Sequence, residues 1–368
     1  MLGVIGIGAA GNNIADEFAL RGIPSIAINY SSKDLESLEN VTDTLTLFGS
    51  QGVGKVRSDA QRLMENNWES AVEFVKKHMS TPSIEVVMVV FSTGGGSGSG
   101  SSPILIEMLQ SEMSDKTFVA CPVLPDLSEA LVNQLNTLST LDELSSIDIA
   151  ILPIDNEKAK EKYGLIPKNK LYKVTNQTFV QLINEAISYT EKHSKYGVID
   201  QKDILQLFKT NGILNISKLN MGDIADLKLN KREFTDKIKN CWNHSLFAEI
   251  EYNNIIRVGM IFDGQEGLME YLRYDMIFDL FANYPIDVFE GNYIKNNSGC
   301  IISILAGLSW ISSRIERIEK EVEYKKANIN LSSNQSRTVN RFEELNNEIR
   351  KSNKQKVSVA SILNKYKR

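Results

Sequence analysis

The sequence predicts an α/β protein: a doubly wound, mostly parallel sheet over about residues 1 to 160, a long connecting helix, and a second, smaller α/β or α+β unit. Short apolar runs at 2–7 (LGVIGI), 25–30 (SIAINY), 84–91 (IEVVMVVF), 117–124 (TFVACPVL) and 147–154 (IDIAILPI) are mostly continuous rather than alternating, as expected of strands covered on both faces. Helical patterns separate them, for example at 11–21 and 57–79. Glycine turns after several of these runs place ligand chemistry at strand ends.

Beyond the first unit, Pro167 suits a helix start. Leu171, Val174, Thr178, Leu182, Ile183, Ala186, Ile187 and Thr190 then recur at spacings of three and four, and the pattern reaches Gly197. A helix of that length reads as a spine between two units. Residues 200–245 read as helical, 248–262, 286–290 and 299–307 as strands, and the region near 266–283 as a helix. Ile311, Ile315, Ile318 and Val322 mark a final amphipathic helix, and from about residue 328 the polar stretch NINLSSNQSR predicts disorder. The expected organisation is a ligand-binding unit at 1–165, the spine at 166–198, a second unit at 199–308, and a helix with a tail at 309–368.

Composition narrows the function. The 42% apolar and 24% charged content of this 368-residue chain is that of a soluble globular protein, and no apolar run is long enough for a membrane span. A cytoplasmic protein with no membrane partner is expected. Cys121, Cys241 and Cys300 are isolated in apolar sequence, and His78, His193 and His244 are scattered, so neither a disulfide framework, a zinc site nor a Ser-His-Asp hydrolase is expected. The net charge of −5 hides an asymmetry: residues 350–368 carry seven basic and no acidic side chains, leaving −12 on the chain before them.

Three glycine loops compete as phosphate sites. GIGAAG, with Gly6, Gly8 and Gly11, matches a dinucleotide fingerprint and admits an NAD- or FAD-dependent oxidoreductase. That motif wants an acid at the end of the second strand, and here Asn29 and Tyr30 stand instead. GSQGVGKV, with Gly52 inside the loop and Gly54 before Lys55, imitates a Walker A loop but has Val56 where the Mg2+-binding Ser or Thr belongs. The third, FSTGGGSGSGSSP, follows the most apolar strand and precedes a helical pattern. Its backbone N–H groups can wrap a phosphate at a helix N-terminus, with the Ser97 and Ser99 hydroxyls adding donors. A flexible Gly/Ser linker does not belong between a core strand and its crossover helix.

Gly94, Gly95, Gly96, Ser97, Gly98, Ser99 and Gly100 together resemble the tubulin/FtsZ signature G-G-G-[ST]-G-[ST]-G. The resemblance runs in order over about residues 2–310. GIGAAGNN (Gly8, Ala9, Ala10, Gly11, Asn12, Asn13) is similar to the family's first nucleotide loop, with Asn13 on its asparagine. NYSSKDL, starting at Asn29, resembles the second loop and GVGKVRSDA the third. The resemblance implies GTP or GDP with Mg2+ as ligands, Asn156 of LPIDNEKA reading the guanine edge, Asn176 meeting the base from the other side, and Glu129 contacting the ribose. Carboxamides and a carboxylate supply the donor and acceptor patterns that guanine and sugar need. Metal ligands stay unassigned. Ala9 and Ala10 replace family glycines, Ser31 stands where an aspartate is frequent, and a Phe-Glu-Gly segment is missing.

Asp200 and Asp203 sit three apart where a new helix starts, which ordinarily marks a helix cap. They also match the family's N-x-D-x-x-D loop, with Val198 at the Asn position. The resemblance implies that these carboxylates act on the GTP of the next subunit in a head-to-tail filament, so that hydrolysis follows self-assembly. Within the family the long charged helix and Lys/Arg tail, together with IDNE and the divergent loops, look most like the TubZ branch, which segregates plasmid or phage DNA through a DNA-binding adaptor in a bacterial host. An FtsZ-like division filament is the alternative. No recognition helix or stacking aromatics point to direct sequence-specific DNA binding.

Overall fold

Successive residues of a strand face opposite sides of its sheet, and here both sides find helices. The computed structural model describes residues 1–164, 166–223, 230–295 and 299–333. The strands are β1 (Leu2–Ile7), β2 (Ser25–Asn29), β3 (Asp43–Thr46), β4 (Val86–Ser92), β5 (Thr117–Leu124), β6 (Ala150–Ile151), β7 (Ile154–Asp155), β8 (Gly212–Asn220), β9 (Arg257–Gly264), β10 (Asp287–Ile294) and β11 (Cys300–Leu308). They form one sheet in the order β10-β9-β11-β8-β6-β5-β4-β1-β2-β3, with β7 beside β5. Every pairing is parallel except those of β11 with β8 and β9.

The helices are α1 (Gly8–Ala19), α2 (Ser32–Glu36), α3 (Arg57–Met79), α4 (Ser97–Glu112), α5 (Leu131–Leu144), α6 (Asn156–Tyr163), α7 (Lys168–Ser188), α8 (Gln201–Lys209), α9 (Lys231–Asn243), α10 (Glu266–Met269), α11 (Tyr274–Ile277) and α12 (Ser312–Ser333). Ile5 and Ile7 of β1, with Val87, Val89 and Phe91 of β4, pack against α3 and α4. Leu2, Val4, Val86, Met88 and Val90 pack on the other face with α1 and α7. The doubly wound sheet read from the apolar runs is present, and β6 joins β8 through a two-residue seam, Ala150 to Gly212 and Ile151 to Ile213.

Several elements differ from the sequence expectation. The run at 147–154 splits into β6 and β7 around Pro153, which has no N–H for a ladder. β8 lies inside the stretch read as helical: its apolar signal is diluted by Asn215 and Ser217, both buried, with Asn215 Nδ2 donating to Ser245 Oγ at 3.0 Å. β9 begins only at Arg257, because side chains rather than a ladder satisfy the backbone before it; Ile255 donates its N–H to Asn283 Oδ1 and its carbonyl accepts from Asn283 Nδ2. The single helix expected near 266–283 is two short turns, α10 and α11, interrupted at Arg273, whose backbone is non-helical and whose guanidinium clasps Asp275.

The spine helix is shorter than expected. It ends at Ser188, where Tyr189 donates its hydroxyl to Asp263 Oδ2 at 2.5 Å and its carbonyl accepts from the Tyr293 hydroxyl at 2.9 Å. Conversely, the expected disorder from residue 328 is contradicted as far as Ser333, which α12 includes. The basic residues at 350–368 lie outside the described residues.

α12 is docked by a buried ion pair. Arg314 Nε and a terminal nitrogen donate to the two oxygens of Asp155 at 2.7 and 3.0 Å, and the same nitrogen reaches the Pro125 carbonyl at 2.8 Å; both side chains are fully buried. Removing one partner strands a charge in the core. Arg314→Ala is expected to cost about 3–5 kcal/mol in urea unfolding, and a loss below about 1 kcal/mol would show that the pair does not hold the helix.

Candidate functional site

Two uncapped helix starts lie side by side at the ends of β1 and β4. α1 follows Ile7 and α4 follows Gly96; neither has a side-chain cap or an acidic residue in its first turn. By contrast Ser31, Asp155, Asp200 and Asn230 cap α2, α6, α8 and α9. The first N–H groups of α1 and α4 are left for another acceptor, and both helix dipoles place positive potential there.

Glycine makes this juxtaposition possible. A Cβ on Gly8 (φ +72°) would lie 3.0 Å from Gly98 N, and one on Gly11 only 2.1 Å from the Val90 carbonyl oxygen. Gly95, Gly52 and Gly54 instead face open space, with nothing within 4 Å of an added Cβ. The packed glycines therefore bring backbones together, while the open ones impose no such contact.

The third loop and α5 close the sides. Lys55 packs its backbone on Gly96, and Asn136 Nδ2 donates to the carbonyls of Lys55, Gly94 and Gly95 at 3.1, 3.3 and 2.9 Å. Asn133 backs Gly94 and donates to Glu129 Oε2 at 2.5 Å, while the other Glu129 oxygen accepts from the Tyr172 hydroxyl at 2.9 Å. Burial, and then the Glu129 charge, push the Tyr172 phenol well above its ordinary range, so it stays a donor. Asn176 follows Tyr172 by one turn of α7 and is half-buried. Asn156 opens α6 beside the Asp155 carboxylate that Arg314 holds, and Glu157 ties this start to the Leu127 N–H at 2.7 Å.

Not every expected side chain offers itself to a ligand. Buried Ser99 donates its hydroxyl to the carbonyls of Gly95 and Gly96, so it shapes the turn instead of supplying a free donor. Asn29 is also buried and spent locally, Oδ1 accepting from Tyr30 N–H and Nδ2 donating to Asp34. Asn12 is the opposite case: both atoms of its buried carboxamide have no partner, whereas Asn13 is exposed. Among the described residues no group of three or more His, Cys, Asp or Glu side chains could hold a metal.

Asp200 and Asp203 stand elsewhere. Asp200 Oδ1 accepts from the N–H groups of Lys202 and Asp203 at 2.7 and 3.0 Å, and Asp203 Oδ2 accepts from Asp200 N–H at 2.9 Å, a complete capping box. The cap leaves an oxygen of each carboxylate outside it. Burial holds the Asp203 carboxyl above its ordinary range; the Asp200 N–H opposes this and the Asp200 charge adds to it. The Tyr293 hydroxyl bonds both Ile199 N–H and the Tyr189 carbonyl, fixing this loop to the far end of α7. From Tyr172 to Tyr189 the helix rise amounts to about 25 Å, so the acids and the glycine cleft of one chain are separate places.

Asn133, Asn136, Tyr293 and Arg314 were not singled out from the sequence. The spacing of Asn133 and Asn136 in NQLN, one helical turn, was the available signal for the first two.

Residues 2–164 match the family described as Tubulin/FtsZ family, GTPase domain. The tubulin-like protein CetZ of Pyrococcus horikoshii is 25% identical over 328 residues, 86% of this chain and 87% of that one. The structure of Clostridium botulinum phage c-st TubZ superposes with a TM-score of 0.73 at 22% identity, covering 89% of this chain and 98% of that one. A GTPγS-form protofilament of Bacillus thuringiensis serovar israelensis TubZ gives 0.79 at 17% identity, covering 91% and 94%. The fold is thus that of tubulin and FtsZ. Residues 2–164, GIGAAG among them, match the GTPase domain of that family, in place of the oxidoreductase reading. Among the described residues no helix is long and apolar enough to cross a membrane.

The glycines separate experimentally. Gly11→Ala drives a methyl into the β4 backbone and is expected to cost about 3 kcal/mol or more, whereas Gly95→Ala should leave the thermal midpoint nearly unchanged. Equal midpoints for the two variants would contradict this packing.

Proposed function

We propose that this protein binds GTP in the glycine cleft, polymerises head to tail, and hydrolyses GTP at the subunit interface in the service of plasmid or phage DNA partition. The observation that carries the reading is the placement of an anion cradle and a pair of carboxylates at opposite ends of one helix. A site split in this way is completed by a second copy stacked in the same direction, and such contacts propagate into a filament. The protofilament form of the Bacillus thuringiensis TubZ structure supports self-assembly.

On this reading residues 1–165 hold the nucleotide, 166–198 set the spacing, and 199–308 bring the carboxylates to the neighbour. The turns Gly8–Asn13 and Gly94–Ser99 take the phosphates through backbone N–H groups, with Gly52 and Gly54 at the rim. Glu129 takes the ribose, and Asn156 and Asn176 bracket the guanine. Asp200 and Asp203 orient the water that attacks the next subunit's terminal phosphate, a reaction governed by placement and charge. Magnesium entering with the triphosphate would take most of its oxygens from phosphate and water. The tail within 309–368 recruits a DNA-binding adaptor through its Lys and Arg residues.

GTP turnover measured against protein concentration should be near zero when dilute and rise sharply above a threshold. Asp200→Asn keeps a capping side chain but removes the charge. It is expected to abolish turnover while filaments persist in electron micrographs, and undiminished hydrolysis would refute action in trans.

Acidification gives a second test. Because the Asp203 carboxyl sits above its ordinary range, it protonates earlier as pH falls, and turnover per assembled subunit should decline there. The same raised value means that the folded state binds this proton more tightly, so this group contributes stability as the pH falls. A flat turnover profile through weakly acidic pH would count against a role for an ionised Asp203.

A further inference from the structure

The loop from Pro125 to Ala130 joins β5 to α5 and carries Glu129. It belongs to no helix or ladder, so its backbone groups depend on side chains from other elements. Three of its carbonyls are taken by α12. Arg314 donates to that of Pro125 at 2.8 Å, and Lys325 donates to those of Leu127 and Glu129, each at 2.5 Å. The two cations stand about three turns apart on one face of the helix, and the loop lies along that face. Of the remaining carbonyls, that of Asp126 accepts from Gln134 Nε2 at 2.7 Å.

Lys325 is fully committed here. Its third acceptor is Glu321 Oε1, one turn back on α12 at 3.2 Å, so the three N–H groups of the ammonium meet three oxygens. Glu129 is thereby held from two sides. Its carboxylate accepts from Asn133 of α5 and Tyr172 of α7, whereas its backbone carbonyl is anchored by α12. The residues on α5 and α7 aim the carboxylate, and Lys325 fixes the point from which it is aimed.

We infer that Lys325 is a positioning residue for the nucleotide site: through the Glu129 carbonyl it sets the reach of that carboxylate toward the ribose, and the docked α12 thereby governs how long a guanine nucleotide stays bound. The inference rests on the GTP reading above. Without the ammonium two loop carbonyls lose their donor, and the loop has no ladder to hold its shape. A contact that depends on placement is then weakened, and the loss is read mainly in the dissociation rate.

Release of fluorescent GDP into excess unlabelled GDP is measured on the full chain, too dilute for assembly. Lys325→Met keeps the length of the side chain without its donors and should speed release about tenfold, the size of one lost hydrogen bond to a charged group. Lys325→Arg, which retains charge and donors, should stay near the wild-type rate. Glu129→Gln should also speed release, and adding Lys325→Met to it should change the rate little further, because the lysine acts through that carboxylate. A merely structural lysine would multiply its effect with that of Glu129→Gln, and this result would overturn the inference. So would a Lys325→Met chain that releases GDP at the wild-type rate. If the wild type binds neither GDP nor GTP, the GTP reading fails and this inference with it.

Discussion

No side chain fits between the ends of β1 and β4. A methyl on Gly11 would collide with the Val90 carbonyl, and one on Gly8, which sits at positive φ, would crowd the Gly98 nitrogen. That steric constraint sets two helix starts side by side and leaves their N–H groups in one opening. The surrounding polar groups serve the same arrangement. Asn136 binds the carbonyls of Lys55, Gly94 and Gly95, and Ser99 donates to those of Gly95 and Gly96. A cradle made of backbone is insensitive to rotamer choice, and its shape is fixed before any ligand arrives.

The second organising element is α7, which acts as a ruler. Its first turns touch the carboxylate of Glu129, and its end is locked by Tyr189, Asp263 and Tyr293. Lys295 adds a further bond to Asp263 at 2.6 Å. The carboxylates that the capping box presents therefore lie at a fixed distance from the cleft. On the proposed reading this distance decides how far one subunit stands from the next, and a helix meets that demand better than a loop could.

The parallel sheet was legible in the sequence because its strands are buried on both faces and read as unbroken apolar runs. The glycine turns were legible because the residues that permit close backbone approach are few and conspicuous. The elements that escaped are those where polar residues do the packing. β8 hides Asn215 and Ser217 in its interior, and the segment before β9 is satisfied by Asn283 instead of a ladder. In the same way Ser99 and Asn29 sat in the right loops, but whether their polar atoms faced the cleft or the backbone depended on partners far away or out of sight in a one-dimensional pattern. Asp200 and Asp203 fitted both a cap and a reactive pair; the structure shows the capping box, and the reactive pair belongs to the proposed function.

α12 crosses the molecule to the loop between β5 and α5. Near its start Arg314 is bolted to Asp155, and farther along Lys325 donates to the carbonyls of Leu127 and Glu129, each at 2.5 Å. The C-terminal end of α12 thus belongs to a rod fastened by Arg314 and Lys325 on the Glu129 and Asn156 side of the cleft, and by the Ser313 N–H to Glu251 at its start. Traction applied to that end would be transmitted as mechanical load to this loop before it spread into the sheet.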